Sequence, residues 1–183
     1  MAKFYEALDD KLIKFIKAQK IFFVATAAQE TRINLSPKGM DSFHIINNKT
    51  LSFLNLTGSG NETAAHLIKD GRITVMMCSF DTAPLIFRIY GKGESIYPHD
   101  ERWDKESSYF PEYAGTRQII KIAIESIQTS CGYSIPFYEY KGERDTLVKW
   151  SEKKGPEGVK NYWEDNNVTS IDGLPTEIFK QQN

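Results

Sequence analysis

The stretch from Leu54 to Leu67 holds the residues best suited to bind a ligand, and it reads LNLTGSGNETAAHL. A strand ends here, a loop of glycines and hydroxyl residues follows, and a helix begins. The loop can turn backbone N–H groups toward one point, and the helix adds its own unpaired N–H groups and the positive end of its dipole. The stretch therefore indicates a phosphate site with the candidate residues Asn55, Ser59, Gly60, Asn61, Glu62 and Thr63.

A purely structural interpretation of the same loop stays open. Ser59 and Glu62 have the spacing of a helix capping box, and the glycines can serve the turn alone. The loop is not a P-loop, because no Lys-Ser or Lys-Thr pair follows the glycines. It also lacks the dinucleotide fingerprint, because Thr63 stands where a third glycine is needed.

A second candidate segment is INLSPKG, from Ile33 to Gly39. A strand carries Ser36, Pro37 is expected to halt it, and Lys38 follows on the turn. The Lys38 ammonium can neutralise a phosphate or contact a ring carbonyl. The alternative is a solvated lysine on a turn, which is the common case.

A third candidate segment runs from Ile127 to Tyr133, IQTSCGY. Small polar groups crowd this strand end, and Gln128, Thr129 and Ser130 can present hydrogen bonds to a ligand. The alternative is that Cys131 is a core residue and that its neighbours form a turn.

Other chemistries find less support in the sequence. The three histidines, His44, His66 and His99, lack metal-ligand spacing, so we expect no metal site. No Gly-x-Ser-x-Gly elbow is present, and the segment from Gly91 to Gly93 predicts a bulge rather than a nucleotide loop. A group of aromatic residues either packs a loop against the sheet or forms a ligand wall: Trp103, Tyr109, Phe110 and Tyr113.

Short runs of β-branched and aromatic residues predict the elements that must position these segments. With few helices between the strands, the pattern indicates a mainly β protein, an antiparallel barrel or sandwich, with one helix inserted at about 61–69. The six predicted strands are 21–26, 32–36, 50–56, 72–80, 85–97 and 118–129.

Helices are predicted at both ends of the chain. Phe4, Leu8, Leu12 and Ile16 recur at helical spacing, which predicts an amphipathic helix within residues 1–20. The barrel is expected over 21–132 and a helical tail over 142–183. In the tail, Gly155 is expected to end a first helix and Pro156 to begin a second, and residues 173–183 are expected to form a surface strap.

Composition indicates one soluble domain. The chain has 183 residues, 40% hydrophobic and 26% charged, with a formal net charge of -1. That balance gives no basic field for nucleic acid, and no segment has the roughly 20 apolar residues of a membrane span. No secretion signal is seen, and Cys78 and Cys131 are expected to be buried thiols in a cytoplasmic protein.

The three candidate segments, in this order, resemble the FMN-binding split barrels of the pyridoxamine 5'-phosphate oxidase-like family. The resemblance covers about residues 11–132 and is carried by FFVATA, INLSPKG, LSFLNLTGSGNETAAHL, GRITVMMCSF and RIYGKGE. It implies a six-stranded antiparallel split β-barrel and a homodimer with FMN at the subunit interface. It further implies that Ser36 to Lys38 meet the flavin ring or ribityl chain. By the same resemblance Ser59 to Thr63 hold the phosphate, and Gln128 to Ser130 approach the flavin from the same or the partner subunit.

The chain departs from true pyridoxamine phosphate oxidases at two places. Asn61 and Glu62 stand in the neighbourhood where those enzymes have a basic pair, and residues 142–183 lack their final Arg and His pattern. The resemblance therefore implies a general flavin reductase or oxidase rather than a pyridoxamine phosphate oxidase.

Several functions remain open at this stage. The leading one is an FMN-dependent oxidoreductase that uses a small-molecule substrate or a nicotinamide electron donor, with no catalytic residue assigned. The alternatives are a non-catalytic flavin or haem-related binding or redox-sensing protein, a reductase that uses a deazaflavin, and, with least support, a nucleic-acid-binding barrel.

Overall fold

The computed structural model describes residues 2–180. Its strands are β1 (Lys3–Tyr5), β2 (Phe22–Thr26), β3 (Asn34–Lys38), β4 (Phe43–Asn47), β5 (Thr50–Leu56), β6 (Arg72–Cys78), β7 (Leu85–Ile96) and β8 (Thr116–Cys131). Its helices are α1 (Asp10–Ala18), α2 (Glu62–Lys69), α3 (Trp103–Ser107) and α4 (Thr146–Asn166).

The strands form one antiparallel sheet in the order β3-β2-β6-β7-β8-β5-β4, with β1 also paired to β8. Strand β8 is 16 residues long; one edge pairs with β7, and the other pairs with β5 in its first half and with β1 near its end. The sheet thus closes as a split barrel flanked by helices, which confirms the predicted fold class. The pairing of β7 with β8 shifts register between Tyr90 and Gly91, but the extra residue is Glu125 of β8, so the bulge lies opposite the predicted segment rather than within it.

Residues 2–180 contain eight strands rather than the six predicted. Strand β4 was not predicted, although a turn at Asn48 and Lys49 joins it to β5 as a hairpin. Strand β1 occupies the start of the predicted first helix, which in the structure begins only at Asp10. Phe4 is therefore an exposed strand residue, because pairing with Gln128 of β8 supplies the backbone hydrogen bonds a helix would have given it.

Pro37 does not halt its strand. Strand β3 continues through Pro37 to Lys38 and pairs with β2 over its whole length. A proline is tolerated there because β3 is an edge strand, so its missing N–H leaves no neighbour unpaired. The prediction that the strand ends before Pro37 was wrong.

The main core lies between α1, α2 and the inner face of the barrel. Leu12 and Ile16 of α1 pack with Val24, Phe53 and Phe87. The aromatic group that was predicted either to pack a loop against the sheet or to form a ligand wall belongs to a second cluster. Its members pack against Leu54, Ile96 and Ile119: Trp103, Tyr109, Phe110 and Tyr113. The packing interpretation is the one the structure supports.

The first part of the tail is helical as predicted, with an interruption at Gly155. Helix α4 covers Thr146–Asn166 of the tail, and residues 167–180 are not helical. Gly155 has φ 68° and ψ 171°, and a second helical stretch starts at Pro156. The expected surface strap begins at Gly173, and its residues Thr176 and Ile178 are buried rather than superficial. The part of that prediction on residues 181–183 lies outside the described residues.

Two further expectations concern the surface. Cys78 is buried, as expected, but Cys131 is exposed at the end of β8, so the prediction of two buried thiols was wrong for it. Within residues 2–180, no helix is long and apolar enough to cross a bilayer.

Candidate functional site

A cavity of about 740 Å³ lies where β3, the loop between β5 and α2, the start of β8 and the tail meet. Nine of the twelve candidate binding residues line it: Ser36, Pro37, Lys38, Asn55, Ser59, Gly60, Asn61, Glu62 and Thr63. Asn55 of β5 stands opposite Gln118 of β8, so the pairing of these strands brings Asn55 and the loop after β5 to the start of β8. Two segments that are far apart in sequence therefore share one wall.

Lys38 is held inside this cavity rather than solvated on a turn. Its ammonium donates a hydrogen bond of 2.8 Å to Asn55 Oδ1. Burial, and then the positive charge of Arg117, lower the pKa of Lys38 from 10.5 to about 8. No carboxylate in residues 2–180 forms an ion pair with it.

The loop from Thr57 to Asn61, called here the glycine loop, has the carbonyl groups of both its glycines bonded to side chains of the protein. Gly58 O accepts from Asn167 Nδ2 at 3.1 Å, and Gly60 O accepts from Arg117 Nη1 at 3.0 Å. The N–H groups of Ser59, Gly60 and Asn61, by contrast, donate to no acceptor in the described part of the chain. A row of unpaired N–H groups beside a helix start is the arrangement that binds anions.

The capping-box interpretation of this loop is not what the structure contains. The N-cap of α2 is Asn61, and its side chain does not cap the helix. The Glu62 carboxylate lies beside Gly60, 3.1 Å from the position of a Cβ built there, and accepts from the N–H of Ile171 in the tail at 3.0 Å. The first turn of α2 is therefore left without a side-chain cap.

Three residues that line the cavity carry a buried polar atom without a hydrogen-bond partner. These atoms are Ser36 Oγ, Asn61 Nδ2 and Arg117 Nε. Asn61 is 1% exposed, and its other amide atom, Oδ1, accepts from Gln118 Nε2 at 2.9 Å. Since buried polar groups are nearly always hydrogen-bonded, these atoms indicate room for a polar ligand.

Arg117 is the residue that the sequence analysis missed. It is 2% exposed, and burial lowers its pKa to about 10. Within residues 2–180 it has no acidic partner. The one sequence signal was a pair of polar residues, Arg117 and Gln118, directly before the apolar pair Ile119 and Ile120, and such a pair does not reveal which cavity it faces.

The tail closes the cavity from outside. Trp163 Nε1 donates to Thr57 Oγ1 at 2.9 Å, and the Thr57 hydroxyl donates in turn to Gly115 O at 2.7 Å. Asn167 Nδ2 donates to Gly58 O of the glycine loop, and the N–H of Ile171 donates to the Glu62 carboxylate. The tail therefore fixes the loop that carries the unpaired N–H groups.

The third candidate segment lies apart from the cavity within one chain. Gln128 and Ser130 stand on the outer face of the sheet, where Gln128 Oε1 accepts from the hydroxyl of Tyr90 and Ser130 Oγ accepts from Arg88. Thr129 points the other way and is buried. Their predicted role toward a ligand stays a prediction.

A larger cavity of about 1100 Å³ adjoins the first one. The two share residues 37–40 and 57–59 and Leu147. Its outer walls are aromatic, and they include Phe80, Tyr138, Tyr140, Trp150 and Tyr162. The pair of cavities thus offers a polar, cationic end and an apolar, aromatic end, as ligand sites in proteins commonly do.

Strand order and cavity together define a split-barrel protein with a buried cationic cavity at the edge of the barrel. Residues 8–131 match the sequence profile of the family described as pyridoxamine 5'-phosphate oxidase. The chain belongs to the pyridoxamine 5'-phosphate oxidase family, as the resemblance predicted.

One relative with curated data covers nearly the whole chain. It is the pyridoxamine 5'-phosphate oxidase family protein ustO of Aspergillus flavus, 34% identical over 193 residues, which span 96% of this chain and 78% of that protein. The similarity therefore reaches into the tail beyond residue 131.

Solved structures share the fold at low identity. HupZ from Group A Streptococcus has a TM-score of 0.51 and 17% identity over 66% of this chain and 91% of its own. The FAD binding protein of Mycobacterium smegmatis has a TM-score of 0.50 and 15% identity over 68% of this chain and 96% of its own. At such identities the likeness shows the fold.

Proposed function

We propose that the protein is a flavin-dependent oxidoreductase that binds FMN in the cavity between β3, the glycine loop and β8. The observation that carries the proposal is the combination of the buried Lys38 ammonium, which lacks a carboxylate partner, with the unpaired N–H groups of Ser59, Gly60 and Asn61. A bound anion would balance the ammonium charge and accept from the unpaired N–H groups.

The residues fit the parts of FMN. The glycine loop would hold the phosphate, with Asn61 Nδ2 as an additional donor, because both offer donors without partners. Ser36 and Pro37 would face the ribityl chain or the ring. When bound, FMN would supply hydride or electron transfer, while the protein would supply binding, orientation and access.

The fold relatives agree with this assignment of the cofactor class. The protein of Mycobacterium smegmatis is described as FAD binding, and it shares the barrel that forms the cavity here. FMN rather than FAD is proposed because the glycine loop and the Lys38 end of the cavity suit a terminal phosphate. Pyridoxamine phosphate is not the proposed substrate, since Asn61 and Glu62 replace the basic pair and Glu62 points to the tail.

A homodimer is part of the proposal. Strand pairing places Pro37, Phe23, Met76, Arg88, Gln128 and Phe4 in one row across the outer face of the sheet, called here the outer row. Phe23 and Met76 are half-buried and Phe4 is 67% exposed, so the row is apolar at several points. A second copy on this face would lie beside Pro37 of the cavity and bring its own Gln128 and Ser130 near it.

The first test is the absorption spectrum of the freshly purified protein, followed by acid release and mass determination of any chromophore. We expect the two visible bands of an oxidised flavin and the mass of FMN. Turnover of NADH or NADPH with an electron acceptor then separates an oxidoreductase from a flavin-storing or redox-sensing protein, and the mass separates FMN from a deazaflavin. A colourless protein that takes up no added FMN would overturn the proposal.

A further inference from the structure

Arg117 is a buried cation whose charge nothing in the described chain balances. Its Nη1 donates to Gly60 O at 3.0 Å and to Asn167 Oδ1 at 2.6 Å, and its Nε has no partner. Both acceptors are neutral. An isolated buried charge is strongly unfavourable, so a guanidinium left in this state beside a cavity indicates a counter-charge brought by a ligand.

Asn167 occupies the position where a carboxylate would ordinarily balance the arginine. It is 0% exposed, and its amide is oriented by both of its contacts: Oδ1 accepts from Arg117 and Nδ2 donates to Gly58 O. Its backbone is fixed as well, since its N–H donates to Trp163 O and its carbonyl accepts from Thr176 Oγ1. The side chain therefore holds the guanidinium against the glycine loop without neutralising it.

The surroundings of Arg117 concentrate positive charge on one point. The charge of Arg117 contributes to the lowered pKa of Lys38, so the two cations lie within electrostatic range of each other. The unpaired N–H groups of the glycine loop lie beside the same carbonyl, Gly60 O, that Arg117 contacts. Glu62, the acid that follows the glycine loop, lies beside Gly60, and its carboxylate accepts from the N–H of Ile171.

We propose that the C-terminal tail completes a phosphate subsite, in which Asn167 positions Arg117 as the counter-charge of a phosphate monoester dianion. The inference rests on the proposed function, because FMN is the ligand expected to carry that phosphate. It goes further by assigning the charge to a β8 residue and its placement to the tail. Asn167 is a positioning residue, and Arg117 is the binding residue.

An aspartate at position 167 gives the sharpest test. Asn167→Asp keeps the shape of the side chain but pairs Arg117 with a carboxylate, so the phosphate must compete with an internal anion. We expect the Kd for FMN to rise about 100-fold, since a charge-assisted pair to phosphate is lost. The Kd for riboflavin, which lacks the phosphate, should change less than about threefold.

Two further variants keep the test decisive. Arg117→Met removes the cation and should reduce the preference for FMN over riboflavin in the same way. Asn48→Asp makes the same charge change on an exposed turn residue far from the glycine loop and should leave both affinities unchanged. Affinities are measured by flavin fluorescence quenching, and thermal unfolding checks that each variant folds.

The outcomes separate the inference from the proposed function. If Asn167→Asp binds FMN as the unmodified protein does, or loses FMN and riboflavin equally, the phosphate subsite is refuted while flavin binding stands. If the unmodified protein binds no flavin but inorganic phosphate raises its unfolding temperature, and Asn167→Asp abolishes that rise, the subsite stands and the proposed function fails.

Discussion

Lys38 shows how one side chain changes its chemistry with its surroundings. In water a lysine stays charged to above pH 10, but here burial and Arg117 bring its pKa to about 8. In the absence of ligand, the unfolded chain therefore binds the proton more tightly than the folded one. This residue's contribution makes the ligand-free protein gain stability as pH rises from about 8 to 10.5.

The Lys38 ammonium also predicts that the affinity for FMN falls as pH rises, whereas the stability of the ligand-free protein increases. A phosphate dianion favours protonated Lys38, so affinity should be level up to about pH 8 and then fall. The fall should be at most about tenfold per pH unit, as one proton is involved. Titrations of FMN from pH 7 to 10 measure it.

Lys38→Arg is the matched variant for that experiment. Arginine stays charged throughout this range, so its affinity for FMN should not fall above pH 8. An equal fall in both proteins would show that another group, not Lys38, is responsible.

Sequence reasoning reached Lys38 but not Arg117, and the difference is physical. Lys38 ends a strand and precedes a glycine, a local pattern that indicates a binding turn. Arg117 acquires its role only through the pairing of β8 with β5 and through Asn167, which is 50 residues away. No local spacing encodes such a contact.

At the scale of elements, the glycine loop depends on Gly115 as much as on its own glycines. The Gly115 carbonyl accepts both the N–H and the hydroxyl of Thr57. Gly115 has φ +82°, and a Cβ there would overlap Ser151 of α4 and lie 3.3 Å from Thr57 Oγ1. The loop, the start of β8 and the tail therefore meet where only glycine fits.

Gly115→Ala should therefore lower the free energy of unfolding more than the same substitution at a glycine that has a similar φ but no close neighbours. Gly173 has φ +78° and nothing within 4 Å of a built Cβ, so it is the control. Gly173→Ala should lower the free energy of unfolding by about 1–2 kcal/mol from backbone strain alone. Gly115→Ala should add about 1–3 kcal/mol from overpacking.

Urea unfolding measures both variants. Equal destabilisation would mean that Ser151 moves aside without loss, and the close packing of the tail on the loop would then not be a source of stability.

The elements themselves were predictable where one local signal dominated. The run TLSFLNL predicted β5 with the bounds that are observed, and Gly155 with Pro156 divided the tail helix as expected. The errors came from tertiary effects. An edge position let β3 continue through Pro37, and pairing with β8 made a strand of a segment that has helical spacing at Phe4.

At the scale of the whole molecule, the outer row is the face proposed as the dimer interface. It crosses six strands from Pro37 to Phe4 and carries half-buried apolar side chains such as Phe23 and Met76. Exposed apolar surface of this kind marks interaction sites. The fold class could be predicted from the sequence. The outer row could not, because it depends on the register in which six strands pair.

We expect a dimer of twice the 20.9 kDa chain mass by light scattering. Met76→Glu places a carboxylate in the middle of the outer row, between Phe23 and Arg88, and should give a monomer with weakened FMN binding because that carboxylate would have to be desolvated in the interface. Asn48→Glu, the same charge change on an exposed turn, should leave the dimer intact. A Met76→Glu protein that remains dimeric would exclude this face as the interface.

The contact between Asn167 and Gly58 also has a consequence for biosynthesis. The two residues are 109 positions apart, so at ordinary elongation rates the ribosome needs on the order of ten seconds to travel from one to the other. During that interval the barrel strands can pair, since β8 ends at Cys131, but the glycine loop has no outer support. Cofactor capture is therefore expected as a late event of synthesis, after the barrel has formed and Asn167 has emerged.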